Sequence, residues 1–232
     1  MPVITFANTK GGAGKTTAVL LLATELLRRR HRIAIIDADP QRWISRWHET
    51  AGRMDGLSVV SYVTAASLQH HVDQARRQAD YVIIDLPGAC TPLMATAIGL
   101  SDHVIIPIQG CAMDAQGGAQ VLELLHYLDR RAGIRIPHSV LLSRVNSMVT
   151  TRALQAVKTL LADRRVHVFD TPIIERSAYR DMFDHRGPIT QMNPEKVSNL
   201  DKALKNADLY AEEVLRLVPA AGRPAAMMPQ AA

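Results

Sequence analysis

Three glycines set between two lysines make the stretch Lys10-Gly11-Gly12-Ala13-Gly14-Lys15-Thr16-Thr17 chemically distinctive. Glycine lets consecutive backbone N–H groups turn inward on phosphate oxygens with no Cβ in the way. Lys15 is placed to reach the β- and γ-phosphates of a nucleotide, and the Thr16 hydroxyl can ligate Mg²⁺. The stretch fits the phosphate-cradling pattern G-x-x-x-x-G-K-[ST] in part. Gly14, Lys15 and Thr16 fall in place, while Thr9 stands where the first glycine would be. Two further acidic points could serve the same chemistry. The apolar run Ile33-Ala34-Ile35-Ile36 ends in Asp37-Ala38-Asp39-Pro40-Gln41, and Tyr81-Val82-Ile83-Ile84 ends in Asp85. A buried strand ending in aspartate suits a carboxylate that holds Mg²⁺ directly or through water.

The elements needed to position these groups are legible as an alternation of strands and helices. Val3 to Ala7 reads as a strand and Gly14 to about Arg30 as the helix after the loop, so the loop presents a helix N-terminus to its anion. The basic end of that helix, Arg28-Arg29-Arg30-His31-Arg32, offsets the helix dipole. Ile33 to Ile36 and Tyr81 to Ile84 are continuous apolar runs of the kind strands buried on both faces give. Helical spacing is predicted from Arg42 to Ala51, with Trp43, Ile44 and Trp47 on one face, and from Ala65 to Gln78. Further helices are predicted over Pro92 to Leu100, about Ala115 to Arg131, and Thr150 to Ala162. Short strands are predicted over Leu57 to Val63, His103 to Ile108, Val140 to Val145 and Val166 to Phe169. Ser198 is expected to cap a last helix that stops before Pro219, leaving an Ala- and Pro-rich loose tail over 219–232. Such alternation implies right-handed crossovers and an α/β fold with a doubly wound, mostly parallel sheet, one domain over 1–218.

Composition narrows the function classes. At 232 residues the chain can build one large α/β core. Aromatics make up 4%, which argues against modules that bind nucleic acid by base stacking. A formal charge of +5 and a pI near 9.5 leave a polyanion partner open. Cys90 and Cys111 have no metal-ligand spacing and are expected as reduced thiols. No apolar run approaches the ~20 residues of a membrane span, and a strand begins without a preceding signal-peptide pattern. The expected location is the cytoplasm, with no membrane partner.

The lysine-first loop, together with Asp37-Ala38-Asp39-Pro40-Gln41 and the strand ending in Asp85, resembles the deviant Walker A box, switch I and Walker B of the ParA/MinD family of P-loop ATPases. The likeness extends from about Pro2 to Val218. Leu142-Ser143-Arg144-Val145 and Thr171-Pro172-Ile173-Ile174-Glu175-Arg176-Ser177-Ala178-Tyr179 look like the short partition ATPases that lack an N-terminal helix-turn-helix domain. The resemblance implies ATP and Mg²⁺ as ligands, with Gly11, Gly12, Ala13, Gly14, Lys15, Thr16 and Thr17 around the phosphates. It implies that Lys10 reaches the nucleotide of a partner subunit and that Asp39 positions the attacking water. Asp37 would help hold the metal's water shell, and Asp85 would take the metal role beside Thr16. Residues Asp85 to Cys90 would form switch II, though Gly88-Ala89-Cys90-Thr91 departs from the family pattern. Arg144 and Pro172 would lie near the adenine.

By the same resemblance the chain would be a DNA-partition ATPase associated with the nucleoid. It would dimerise on ATP, with higher polymers open, hold DNA without sequence preference, and answer to a centromere-binding or other adaptor protein. Phosphate-neutralising cations are plentiful in the last third, and Arg176 and Arg180 are the first candidates for DNA contact. Two alternatives are a relative that positions another cargo, such as a conjugative transfer complex, protein cluster or secretion apparatus, and a membrane-cycling regulator of the MinD kind. The second needs a basic amphipathic C-terminal helix. The sequence after Pro219 carries two prolines, Pro219 and Pro224, before Met227 and has no such stripe.

Overall fold

A computed structural model describes residues 1–109, 112–146, 152–184 and 187–220. Its centre is a six-stranded sheet with every pairing parallel, in the order β3-β2-β4-β1-β5-β6. The strands are β1 (Val3–Phe6), β2 (Ile33–Asp37), β3 (Leu57–Val60), β4 (Tyr81–Asp85), β5 (His103–Ile108) and β6 (His138–Leu142). The helices are α1 (Lys15–Arg28), α2 (Trp43–Ala51), α3 (Ala65–Arg76), α4 (Pro92–Gly99), α5 (Ala112–Ala132), α6 (Arg152–Asp163), α7 (Ser177–Asp184) and α8 (Leu200–Leu217).

Two apolar layers follow from the period-two alternation of each strand. Ile4, Phe6, Ile33, Ile35, Tyr81 and Ile83 join Leu20–Leu22 of α1 and Ala207, Tyr210 and Val214 of α8 on one face. Val3, Ala34, Ile36, Val82 and Ile84 join Leu68 of α3, Met94 of α4 and Val121 of α5 on the other. Both faces of the central strands are therefore dry, as their unbroken apolar runs require. The register then decides where chemistry can sit. Phe6 pairs with Asp85 and Asp85 with Asp37, so β1, β4 and β2 end level.

Several sequence expectations are corrected. Residues Val166 to Phe169 form no strand, because Val168 makes only an isolated bridge with Val140. The sheet edge is instead closed by short backbone links, Val140 N–H to His167 O and Phe169 N–H to Val140 O. Asn199, in a left-handed conformation, precedes α8 in place of Ser198, with no side-chain cap. Trp43 does not share the buried face of Ile44 and Trp47. It is 51% exposed. β3 stops at Val60, three residues early, and helix α7 had no counterpart in the sequence reading. The expected tail lies outside the described residues from 221 onward, as does Cys111.

The basic end of α1 is paired: Arg28 meets Glu25 and Asp208, Arg29 meets Asp208 and Glu212, and Arg32 meets Asp80. At the opposite end of the sheet from the level strand termini, the Ser139 hydroxyl stands 2.9 Å from His103 Nε2 and 3.0 Å from His167 Nδ1. Burial pushes His103 down to about 4, and the nearby His138 and His167 push the same way. The unfolded chain thus binds a proton near pH 6.5 that the folded chain refuses until about pH 4. Stability contributed by neutral His103 is present above pH ~6.5 and lost as pH falls towards 4. His103→Gln, which keeps a partner for Ser139, should remove roughly 2–3 kcal/mol of that acid-side loss. Urea unfolding of both proteins at pH 7 and pH 5 checks it.

Candidate functional site

The level ends of β1, β2 and β4 launch three loops onto one edge of the sheet. The first, after β1, is the glycine-rich loop. Gly12 and Gly14 adopt positive φ, 79° and 90°, and Gly14 is the left-handed residue just before α1. Any other residue at Gly14 would be strained there, and its Cβ would lie 3.1 Å from the Ser143 hydroxyl. No side chain caps α1, so its first N–H groups face the pocket.

Side chains from elsewhere brace the loop. Asn8 is fully buried. Its amide donates to Pro107 O at 2.6 Å, and its oxygen accepts the Lys10 N–H at 2.8 Å. Ser143, just past β6, donates to Ala13 O at 2.6 Å, and the Gln109 amide donates to Gly12 O. From the third loop, Gly88 approaches so closely that a Cβ on it would lie 2.5 Å from Gly11 N. Lys15 folds back, donating from Nζ to Asn8 O at 3.2 Å and Lys10 O at 3.0 Å. Its ammonium is held below the ordinary lysine range by burial, against the pull of Asp85 and Asp39.

The acidic residues divide by environment. Asp85 is 1% exposed; its Oδ2 accepts the Thr16 hydroxyl at 2.8 Å, and its Oδ1 has no partner. Burial pushes Asp85 up to about 7, the Thr16 bond lowers it, and Asp37 pushes it further up. Asp37, in register on the adjacent strand, is also 1% exposed. Its Oδ2 accepts both the N–H and the hydroxyl of Ser45, at 2.8 and 2.6 Å, and its Oδ1 is likewise orphaned. Burial raises Asp37 as well. Two orphaned carboxylate oxygens beside a threonine hydroxyl and a phosphate cradle form a hard oxygen donor set. That set suits Mg²⁺, which takes a few protein oxygens and completes its shell with water and phosphate. Asp39 is half-buried at the pocket edge, where its Oδ1 accepts the Gln41 N–H at 2.8 Å.

Gly11 to Thr17, Asp39 and Ser143 line one end of a pocket of about 600 Å³. Asp85 and Asp37 lie behind that lining, Asp85 bonded to Thr16 and Asp37 in register beside Asp85. Arg144, Ile173, Ile174, Glu175 and Arg176 form the far wall, with Tyr179, Arg180 and Phe183 of α7 and Trp43 of α2. Such a pocket, with an anion cradle at one end and apolar walls at the other, fits a nucleotide. Most sequence-predicted residues converge here. Pro172 does not line the pocket; its carbonyl accepts from Asn206, and the wall is made by its neighbours Ile173 and Ile174. Lys10 is also absent from the lining, and its stem lies against Gly117 of α5. Arg176 and Arg180, singled out for DNA, stand in the pocket wall, where Arg180 and Arg144 share Glu175. Asn8, Ser45, Gln109 and Phe183 were not singled out as site residues, and Trp43 was read only as part of a helix face. Ser143, Ile173, Ile174, Glu175 and Tyr179 lie in stretches that carried the family resemblance.

The architecture and loop together define a P-loop nucleoside-triphosphatase fold of the ParA/MinD type. The family model described as VirC1 protein matches residues 1–218, and the chain belongs to that family. Protein ParA of Rhizobium radiobacter is 30% identical over 216 residues, covering 93% of this chain and 97% of its own. Maintenance of carboxysome distribution protein A of Halothiobacillus neapolitanus is 25% identical over 178 residues, 75% of this chain and 80% of its own. Among solved structures, a Borrelia burgdorferi plasmid partition protein bound to AMPPNP superposes with a TM-score of 0.69. It is 19% identical, covering 94% of this chain and 99% of that one, a likeness of fold.

The two orphaned oxygens carry a stability cost that the ligand-free protein bears. A raised carboxyl contributes stability fully present below its unfolded value near 3.9 and lost as pH rises through about 7. Asp85→Asn keeps an acceptor for Thr16 and removes the buried charge. At pH 8 without ligand it should unfold with roughly 2–4 kcal/mol more stability than wild type, and the two should converge near pH 4. Denaturant titrations at both pH values check this.

Proposed function

We propose that the chain is a Mg²⁺-dependent ATPase used as a nucleotide-switched, DNA-binding partition protein. The observation that carries the reading is that Lys15, Thr16 and Asp39 line the glycine-loop end of one pocket, with Asp85 bonded to Thr16 and Asp37 in register beside Asp85. The relatives that share its length include a protein named ParA, and the AMPPNP-bound neighbour shares its fold.

In this reading the Gly11–Thr17 amides, the N-terminus of α1 and Lys15 hold the β- and γ-phosphates. Thr16, Asp85 and Asp37 would hold Mg²⁺ and its water, and the ion, when bound, neutralises charge on the phosphate oxygens. Asp39 orients a water in line with the γ-phosphorus. The water oxygen bonds to phosphorus as the bond to the β-bridging oxygen breaks, giving ADP and phosphate. Lys15 stabilises the charge that grows on the leaving oxygen. Lys10, which does not line its own pocket and whose stem lies against Gly117 of α5, serves the nucleotide of a second copy. The ATP-bound dimer would then hold DNA through phosphate contacts, with Arg176 and Arg180 as rim candidates, until an adaptor protein stimulates hydrolysis. A second reading, the same ATPase cycle positioning another cargo, is favoured by the likeness to the carboxysome distribution protein.

DNA binding by the purified protein with ATP, ADP or no nucleotide tests the proposal. Wild type and Asp39→Ala should both bind unrelated duplexes only with ATP, losing at least tenfold in affinity between about 50 and 200 mM salt. Asp39→Ala should hydrolyse ATP at least ~100-fold more slowly, and Lys15→Gln should also lose ATP-dependent DNA binding. DNA binding absent in every state, with ATP-driven dimerisation intact, would overturn the partition reading and leave the second. ATP turnover unchanged in both variants would overturn the assigned site.

A further inference from the structure

The far wall of the pocket is held by one side chain from the last helix. Residues 172–175 run as a short extended segment beside the end of β6. On that side the backbone pairs, with Ile173 N–H donating to Leu142 O, Val145 N–H to Ile173 O and Glu175 N–H to Val145 O. On its other side no strand follows among the described residues. Asn206 of α8 takes a strand's place: its Oδ1 accepts the Ile174 N–H at 3.0 Å, and its Nδ2 donates to Pro172 O at 2.9 Å. The Tyr179 hydroxyl, in the same wall, stands 3.1 Å from Asn206 Oδ1 and donates to Ala203 O at 3.0 Å.

Seven residues further along α8, two turns on the same face, Glu213 repeats the arrangement. Its carboxylate, 4% exposed, accepts the N–H groups of Asp170 and Thr171 at 2.7 and 2.9 Å. Thus α8, which is remote in sequence from the glycine loop, grips the chain from 170 to 174 at two points. Ile173 and Ile174 reach the pocket from the middle of that grip. A primary amide can satisfy an N–H and a C=O two residues apart at once, which neither a carboxylate nor a hydroxyl can do as well. Among the described residues no hydrogen bond joins Asn206 to the phosphate cradle; its partners are Ile174, Pro172 and Tyr179.

We propose that Asn206 is a positioning residue for nucleoside recognition, fixing the Ile173–Ile174 wall against which the base of a bound nucleotide packs. The inference rests on the nucleotide reading of the pocket and extends it to the base end. Its signature is a split between ligands: a base-bearing nucleotide feels the wall, while a bare polyphosphate feels only the glycine loop and Lys15.

Binding of Mg-ADP and of Mg-tripolyphosphate would be measured by calorimetry for wild type, Asn206→Ala, Asn206→Asp and Glu213→Gln. Asn206→Ala should weaken ADP about tenfold or more, the worth of one to two lost hydrogen bonds, and leave tripolyphosphate within about twofold. Asn206→Asp, which keeps the acceptor and loses the donor to Pro172, should fall between. Glu213→Gln, which alters the outer grip only, keeps the test open if Asn206→Ala does not fold; it should show the same split in weaker form. Equal weakening of both ligands would mark a merely structural role and overturn the inference, as would ADP affinity unchanged in every folded variant. Wild type that binds tripolyphosphate but no ADP would overturn the nucleotide reading together with it.

Discussion

The register of three parallel strands is the constraint on which the rest of the site depends. Because β2 and β4 end level, Asp37 and Asp85 are forced side by side at the sheet edge, each almost fully buried and each with one unpartnered oxygen. A folded chain keeps such a pair only if something compensates. In the ligand-free protein the compensation is partial. Ser45 takes one oxygen of Asp37, Thr16 takes one of Asp85, and buried Lys15 supplies charge at longer range. The remaining deficit is what a divalent cation and its waters could fill, so cost in one state becomes affinity in the other.

The same three contacts tie that edge to distant elements. Ser45 opens α2, and two residues on, Trp47 donates from its indole N–H to Met182 O of α7 at 3.0 Å. α7 in turn carries Tyr179, Arg180 and Phe183 into the far wall of the pocket. One helix therefore touches the buried Asp37 carboxylate at its start and, through Trp47, the helix that forms the far wall. A displacement of Asp37 cannot be absorbed locally, because packed interiors transmit strain rather than yielding to it. That connection gives the two ends of the pocket a common mechanical frame without any residue spanning it directly.

How much of this was legible in the sequence follows from what each part is made of. The phosphate end was readable because it is local: one loop and two strand ends, each a contiguous run with a distinctive composition. Lys15, Thr16, Asp39 and Asp85 are therefore recognisable from the sequence. The far wall was less so, because its groups come from four separate places, Trp43, the 173–176 segment, α7 and the bracing residues of α8. Each of those is unremarkable in its own neighbourhood. Pro172 illustrates the difference, since its neighbours Ile173 and Ile174 line the pocket and it does not. Its carbonyl is spent on Asn206, and the residues beside it face the pocket. The strand expected over Val166 to Phe169 failed for a related reason. Apolar content there serves packing, with Phe169 buried against Tyr210, and the backbone makes only one bridge to β6.

This division also bears on what can vary among proteins that share the fold. The phosphate end is over-determined: Asn8, Gln109, Ser143 and Gly88 all hold the glycine loop from different directions. A change in any one leaves the others in place, so the phosphate-facing geometry is buffered against drift elsewhere in the chain. The wall from 170 to 174 is held by backbone pairing to the end of β6 and by two side chains of α8, whose outer face pairs with the end of α1 through Asp208 and Glu212. Substitutions on that helix can therefore reshape the 170–174 wall without touching the glycine loop. The two ends of the pocket are thus held by different parts of the chain, the loop end from the sheet edge and the far wall in part by the final helix.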